Sequence, residues 1–103
     1  MKVFISQPMN GKTDMEIELE RERAISRIKG KWPDAEIIDS YFADYKPSTG
    51  NVALKYLARS LELMADADVV WFCPGWERTR GCSIENNCAI AYDLDVIEDY
   101  TEG

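Results

Sequence analysis

The chain has 103 residues, of which 46% are apolar, and this suits a single domain over residues 1–103 with its own core. Its formal charge of −7, from 12 basic and 19 acidic residues, argues against a general nucleic-acid-binding protein, which would present a basic face. Histidine is absent and the only cysteines are Cys73, Cys82 and Cys88. Histidine catalysis is therefore excluded, and neither a disulfide framework nor a metal site is expected.

The apolar segments are short. None approaches the roughly 20 residues that a membrane helix requires. The amino terminus begins with a strand-like run, residues 1–4, that lacks the pattern of a signal peptide. We therefore expect a soluble, cytoplasmic protein that does not associate with a membrane.

The first half of the chain predicts two strands and a long helix. Residues 2–6 read as a strand that a turn with Pro8 and Gly11 ends. Thr13 and Glu16 fit a capping box, and the helix that follows is expected to stop at Gly30. A second strand is predicted over residues 36–39.

A long aromatic loop over residues 40–51 separates this strand from the second helix. The aromatic side chains of this loop either close over a ligand or pack against the rest of the domain. The helix has an apolar stripe at helical spacing, which is expected to be core: Leu54, Leu57, Ala58, Leu61, Met64 and Ala65.

The last third of the chain begins with an unbroken apolar run, residues 69–73, which is typical of a central parallel strand. A polar loop and a third helix follow, with Ile84, Cys88 and Ala91 expected on its inner side. Residues 94–97 read as a fourth strand and residues 99–103 as a frayed tail.

This alternation predicts a small flavodoxin-like or Rossmann-like α/β fold with three layers. The expected sheet is mostly parallel, in the order 2-1-3-4, with helices on both faces. The order reverses between strands 1 and 3, so the loops over residues 6–12 and 73–81 should meet at one sheet edge and line one pocket.

Both loops carry side chains suited to an anion. Lys12 lies beside a predicted helix start, although the GxxxxGK pattern of a P-loop is missing. The third helix is preceded by Arg78, Thr79 and Arg80. These residues form either a phosphate site or an ordinary charged surface loop. Trp76 either stacks on a planar base or is packed in the body of the domain.

Glu85 is expected in the first turn of the third helix, where the helix dipole and the neighbouring arginines would keep its carboxylate ionised. It is therefore a candidate nucleophile or ligand anchor. Acidic residues are also common in ordinary helix starts, so a purely structural role is the alternative.

Three segments together resemble the nucleoside 2-deoxyribosyltransferase superfamily, in particular a group of small, often phage-borne members of unassigned activity. They are Phe4-Ile-Ser-Gln-Pro-Met-Asn-Gly11, Ala65-Asp-Ala-Asp68, and Gly81-Cys-Ser-Ile-Glu85 with Ala89 beyond. The resemblance covers nearly the whole chain.

The resemblance implies a glutamate nucleophile that attacks C1′ of the sugar and displaces the base, and the matching residue is Glu85. Thr79 is similar to a phosphate-binding serine in the branch that hydrolyses deoxynucleoside monophosphates. A second family aspartate falls at Ser60, and Gln7 stands where glycine is usual.

The sequence therefore predicts an N-glycosidase or 2-deoxyribosyltransferase acting on a nucleoside 5′-monophosphate, without a metal or organic cofactor. The alternative is a nucleotide-binding protein without catalysis that acts as a sensor, sponge or interaction module. The expected partners are a nucleotide or nucleoside and further copies of the chain, since relatives complete their sites across a dimer. Besides the catalytic Glu85, the residues expected to bind substrate are Ser6, Gln7, Met9, Gly11, Lys12, Tyr41, Gly75, Trp76, Arg78, Thr79, Arg80 and Gly81.

Overall fold

The computed structural model describes residues 1–39 and 45–100, which alternate between strands and helices. The strands are β1 (Lys2–Ser6), β2 (Glu36–Ile38), β3 (Val69–Phe72) and β4 (Asp95–Glu98). The helices are α1 (Asp14–Lys31), α2 (Val52–Met64) and α3 (Arg80–Ala91), and a short 3₁₀ turn, Trp76–Arg78, precedes α3. Tyr41, which the sequence analysis assigned to the substrate site, lies outside the described residues.

The four strands form one sheet in the order β2-β1-β3-β4, and each neighbouring pair is parallel. The predicted order is therefore confirmed. In the central pair, Ser6 lies opposite Phe72, so the loops that leave β1 and β3 begin side by side. The topological switch point lies between these two strands, as expected.

Alternate residues of the strands build one core on each face of the sheet. On one face Val3, Ile5 and Trp71 pack with Ala24 and Ile28 of α1. On the other face the cluster includes Met64 of α2 and Ala89 of α3 together with three strand residues, Phe4, Val70 and Phe72. The domain thus has the three predicted layers, with α1 on one side and α2 and α3 on the other.

The capping box at the start of α1 forms as predicted. Thr13 Oγ1 accepts a hydrogen bond from the Glu16 amide at 3.2 Å and donates one to Glu16 Oε1 at 3.1 Å. The helix does not stop at Gly30 but runs to Lys31, and Trp32 is its capping residue. Pro33 disfavours a helical conformation for the residue before it, and Trp32 is extended accordingly, with φ −133°.

The predicted inner faces of α2 and α3 need correction. Of the α2 stripe only Met64 is buried, and Leu54 is 59% exposed. In α3, Ala91 is exposed and Ile84 and Cys88 are half-buried. The buried residues of α3 are instead Cys82, Glu85, Asn86 and Ala89.

The first residue of the predicted frayed tail, Asp99, is instead held by contacts with the rest of the domain. Asp99 is buried, its amide donates to the Phe72 carbonyl at 2.8 Å, and its carboxylate pairs with Arg27 Nη1 at 2.9 Å. The contacts join α1 to the end of β4. Within residues 1–39 and 45–100, no helix combines the length and apolar character needed to cross a bilayer.

Candidate functional site

A cavity of about 850 Å³ opens at the carboxyl edge of the sheet, on the side covered by α2 and α3. We call it the Glu85 cavity. Seven residues of the predicted substrate site line it together with Glu85: Ser6, Gln7, Met9, Arg78, Thr79, Arg80 and Gly81. The topology brings the two loops together because β1 and β3 are neighbours that point in the same direction.

Glu85 is almost fully buried, with 7% of its surface exposed. Ser6 Oγ donates a hydrogen bond to Glu85 Oε1 at 3.0 Å. Among the described residues, no hydrogen bond reaches the second carboxylate oxygen, Oε2. The carboxylate is thus held from one side by the end of β1, and one oxygen is left for a ligand.

Burial raises the pKa of Glu85 to about 7, and the hydrogen bond from Ser6 acts in the opposite direction. The expectation that the helix dipole keeps Glu85 ionised is wrong. Since α3 begins at Arg80, Glu85 lies beyond the first turn, which contains no acidic residue. The dipole acts mainly within that first turn, so desolvation decides the protonation of this carboxyl group.

The start of α3 lacks a side-chain cap. Thr79 is the capping residue, but its hydroxyl donates to the Trp76 carbonyl at 3.1 Å and does not accept from the helix. Arg80, Gly81 and Cys82 form the first turn, and all three line the Glu85 cavity. Uncapped first-turn N–H groups and the positive end of a helix favour an anion.

Two tyrosines supply aromatic rings to the Glu85 cavity. Tyr45 and Tyr56 both contribute, with their rings edge to face and 5.5 Å between centroids. Trp76 instead packs on Phe72 at 5.4 Å between ring centroids, which is the packed alternative. Tyr45 belongs to the aromatic loop that was predicted either to close over a ligand or to pack on the domain. Tyr56 lies outside the apolar stripe of α2, and no sequence pattern predicted that it lines a cavity.

A second cavity, of about 660 Å³, lies at the same sheet edge on the side of α1. We call it the Arg23 cavity. Lys12 and Gly75 line this cavity and not the Glu85 cavity. Lys12 pairs with Glu20, and Gly75 has a φ of +85°, a conformation that favours glycine.

Two further predicted residues have structural roles. Gly11 lines neither cavity and has a φ of +79°, within the turn closed by the Lys12 amide and the Met9 carbonyl. Gln7 lines the Glu85 cavity, but its Nε2 donates to the Ile17 carbonyl at 2.6 Å. Gln7 therefore ties the end of β1 to α1.

Other residues of the Glu85 cavity carried no separate signal in the sequence. Ser60 is the exception, because the resemblance placed a family aspartate at its position, and it does line the cavity. The remaining polar ones include Asn10, Lys46 and Cys82.

The cysteines near the two cavities are poor nucleophiles. Burial raises the pKa of the Cys73 thiol to about 12, and burial also raises the pKa of the Cys82 thiol. A thiol reacts as its thiolate, which is scarce when the pKa is raised. In the described part of the chain, no group of three or more cysteine and carboxylate side chains is arranged to hold a metal ion.

The chain was compared with models of known protein families. The profile of a family described as a domain of unknown function, DUF4406, matches residues 1–98. Neither the curated proteins nor the solved structures include a significant match to the chain.

Proposed function

We propose that this chain, a member of the DUF4406 family, acts on the N-glycosidic bond of a nucleoside 5′-monophosphate. The reaction is base release or 2-deoxyribosyl transfer, and Glu85 is the nucleophile. One observation carries the proposal. A single cavity combines a buried carboxylate, an uncapped helix start flanked by arginines, and two tyrosine rings.

Each part of this cavity suits one part of a nucleotide. The first turn of α3, with Arg78 and Arg80 beside it, offers N–H groups and two guanidinium groups to the phosphate. Tyr45 and Tyr56 supply aromatic surface for the base. Glu85 supplies the only carboxylate among the described lining residues, and it is the group assigned to the sugar.

The proposed chemistry follows that of a retaining glycosidase. An ionised Glu85 oxygen attacks C1′ through an oxocarbenium-like transition state, and the base departs with the electron pair of the N-glycosidic bond. A glycosyl ester forms on Glu85. Water then attacks C1′ in base release, or the N–H nitrogen of a second base does so in transfer. The C1′–Oε bond breaks, the carboxylate is regenerated, and the proton lost by the attacking group goes to the departed base.

The hydrogen bond from Ser6 bears directly on this role. It occupies Oε1 at 3.0 Å and so fixes the orientation of the carboxylate, with Oε2 directed to the reaction. With a pKa of about 7, roughly half of Glu85 is ionised at neutral pH. A nucleophile must be ionised, so the rate should rise with pH through this range.

A non-catalytic nucleotide-binding protein is the second candidate, and one observation favours it. Ser60 lines the cavity at the position where the resemblance places an aspartate. Among the described lining residues there is accordingly no second carboxyl group to protonate the departing base. Such a protein would retain the phosphate site and the tyrosines and would serve as a sensor, sponge or interaction module.

We further propose a cytoplasmic homo-oligomer. Three residues of the apolar stripe of α2, which was expected in the core, are exposed: Leu54, at 59%, Ala58 and Ala65. A second copy of the chain is the proposed occupant of this face, since the resemblance implies assembly. Light scattering at tens of micromolar protein should give a dimer mass or a larger one, and a monomer mass would contradict the assignment.

The experiment that separates the two candidate functions is a panel of ribo- and deoxynucleoside 5′-monophosphates incubated with the protein. Chromatography of free base reports cleavage, and calorimetry on the same panel reports binding. Release of base from at least one member supports the enzyme. Binding without release from any member supports the nucleotide-binding protein.

A further inference from the structure

Among the described residues, three basic side chains line the Glu85 cavity, and the proposed reaction uses two of them. Arg78 and Arg80 are assigned to the 5′-phosphate, which leaves Lys46 without a role. Within residues 1–39 and 45–100, no carboxylate pairs with Lys46 and no hydrogen-bond acceptor holds its ammonium group. This ammonium group is therefore available to a ligand in the cavity.

Lys46 belongs to the aromatic side of the Glu85 cavity. It directly follows Tyr45, whose hydroxyl donates to the Lys55 carbonyl of α2 at 3.4 Å. The Tyr45 ring also meets the Tyr56 ring edge to face, with 5.5 Å between centroids. These contacts hold the segment before α2 against that helix. Because both tyrosines are assigned to the base and Lys46 lines the same cavity, this cation is placed at the base and not at the phosphate.

The departing base needs such a group. Cleavage of the N-glycosidic bond leaves an electron pair on the base, and an acid often protonates the base as it departs. Glu85 is the only carboxyl group among the described lining residues, and it is assigned to the attack on the sugar. A fixed hydrogen-bond donor can instead stabilise the negative charge as it develops. A lysine ammonium group has three N–H donors and no acceptor, so it can do this without giving up a proton.

We infer that Lys46 stabilises a pyrimidine base that leaves as an anion. Its Nζ donates a hydrogen bond to O2, the carbonyl oxygen next to the glycosidic nitrogen N1. As the C1′–N1 bond breaks, its electron pair moves onto N1 and is shared with O2, while a Glu85 oxygen forms the new bond to C1′. The departed anion then takes up the proton that the attacking water or second base loses. The inference rests on the proposed function and names pyrimidine nucleotides as the substrate class.

A purine fits this arrangement less well than a pyrimidine does. A purine has no carbonyl group next to its glycosidic nitrogen N9, and its departure is eased by a proton on N7. Delivery of that proton requires an acid, and the described lining residues offer no carboxyl group besides Glu85. A hydrogen-bond donor beside the base therefore assists a pyrimidine more than a purine.

The test compares base release from 2′-deoxyuridine 5′-monophosphate and from its 5-fluoro analogue. Fluorine withdraws electrons, so the fluorinated base leaves more readily as an anion and needs less assistance. Lys46→Ala should lower the rate of uracil release about a hundredfold, as the loss of one preorganised donor does, and the rate of 5-fluorouracil release by a smaller factor. Nucleotide affinity by calorimetry should change little, since the charge develops only in the transition state. Lys46→Arg keeps the charge and the N–H donors and should restore part of the rate.

Lys29→Ala is the control and should keep both rates, because Lys29 is exposed on α1 and lines neither cavity. Equal losses for the two bases in Lys46→Ala would overturn the inference, as would purine release by the wild type at the rate of pyrimidine release. Base release that falls in Glu85→Gln but not in Lys46→Ala would uphold the proposed function and reject this inference alone. An absence of base release from every nucleotide by the wild type would reject both.

Discussion

Ser6 Oγ donates a 3.0 Å hydrogen bond to Glu85 Oε1 across 79 positions of sequence. The two residues meet because β1 ends beside the helix that follows β3, and both are buried. Among the described residues, Ser6 makes the only hydrogen bond to the Glu85 carboxylate. Burial raises the pKa of Glu85, and this hydrogen bond lowers it. It therefore connects the fold at the switch point to the chemistry proposed for the site.

Replacing Ser6 should change the titration of Glu85. In Ser6→Ala the ionised carboxylate loses a hydrogen bond worth roughly 1.5–3 kcal/mol, so its pKa should rise by about one to two units. Carbon-13 NMR of the glutamate carboxyl signals would measure this shift, and the rising limb of the pH–rate profile should move with it. Ser83→Ala is the control, since Ser83 lies on the same helix and donates to the Glu77 carbonyl. An unchanged pKa in Ser6→Ala would contradict the assigned role.

The raised pKa of Glu85 also predicts how stability depends on pH. The carboxyl group titrates near 4.5 when unfolded and near 7 when folded, so the folded state binds more protons between these values. Its contribution is therefore fully present below pH 4.5 and is lost as pH rises to about 7. The loss is about 3 kcal/mol, from 1.36 kcal/mol per pKa unit.

Glu85→Gln has no titrating group at this position and should lack that loss. Urea unfolding at pH 5 and pH 8 would give the free energy of unfolding of the wild type and of the variant. The change between the two pH values is then compared between the two proteins. The variant should gain stability relative to the wild type at the higher pH. A stability gap that is the same at both pH values would show that Glu85 is not desolvated as described.

Sequence patterns were sufficient for the fold and for the meeting of the two loops at one sheet edge, because both follow from topology. The unbroken apolar run at residues 69–73 identified the central strand, and the sheet order then placed the loops over residues 6–12 and 73–81 at one edge. The capping box at Thr13 gave the start of α1. Such signals depend on local chemistry that the tertiary structure does not override.

The inner faces of α2 and α3 were not predictable in the same way, because periodicity assumes that apolar residues face inward. In α3 the buried face includes Glu85, which lines a cavity, and Asn86, whose Nδ2 donates to Glu98 Oε2 at 3.0 Å. A polar residue can be buried when such a partner exists. The partner lies on β4, and no spacing within the helix reveals it.

The phosphate site can be tested apart from the chemistry. Arg80→Ala removes one of the guanidinium groups beside the start of α3 and should weaken binding of a nucleoside 5′-monophosphate about tenfold or more. Affinity for the matching nucleoside should not change. Calorimetry on both ligands measures the two effects. Arg59→Ala is the control, because Arg59 lines neither cavity and is paired with Glu62. Equal losses for nucleoside and nucleotide would place Arg80 outside a phosphate site.

The rate of base release by Glu85→Gln tests whether Glu85 is a covalent nucleophile. Glutamine keeps the size of the side chain and can still accept the hydrogen bond from Ser6, but it carries no negative charge. We expect base release to fall by at least about a thousandfold, since the covalent route is lost. Nucleotide affinity, measured by calorimetry, should stay near that of the wild type. Base release by Glu85→Gln at the wild-type rate would contradict this role.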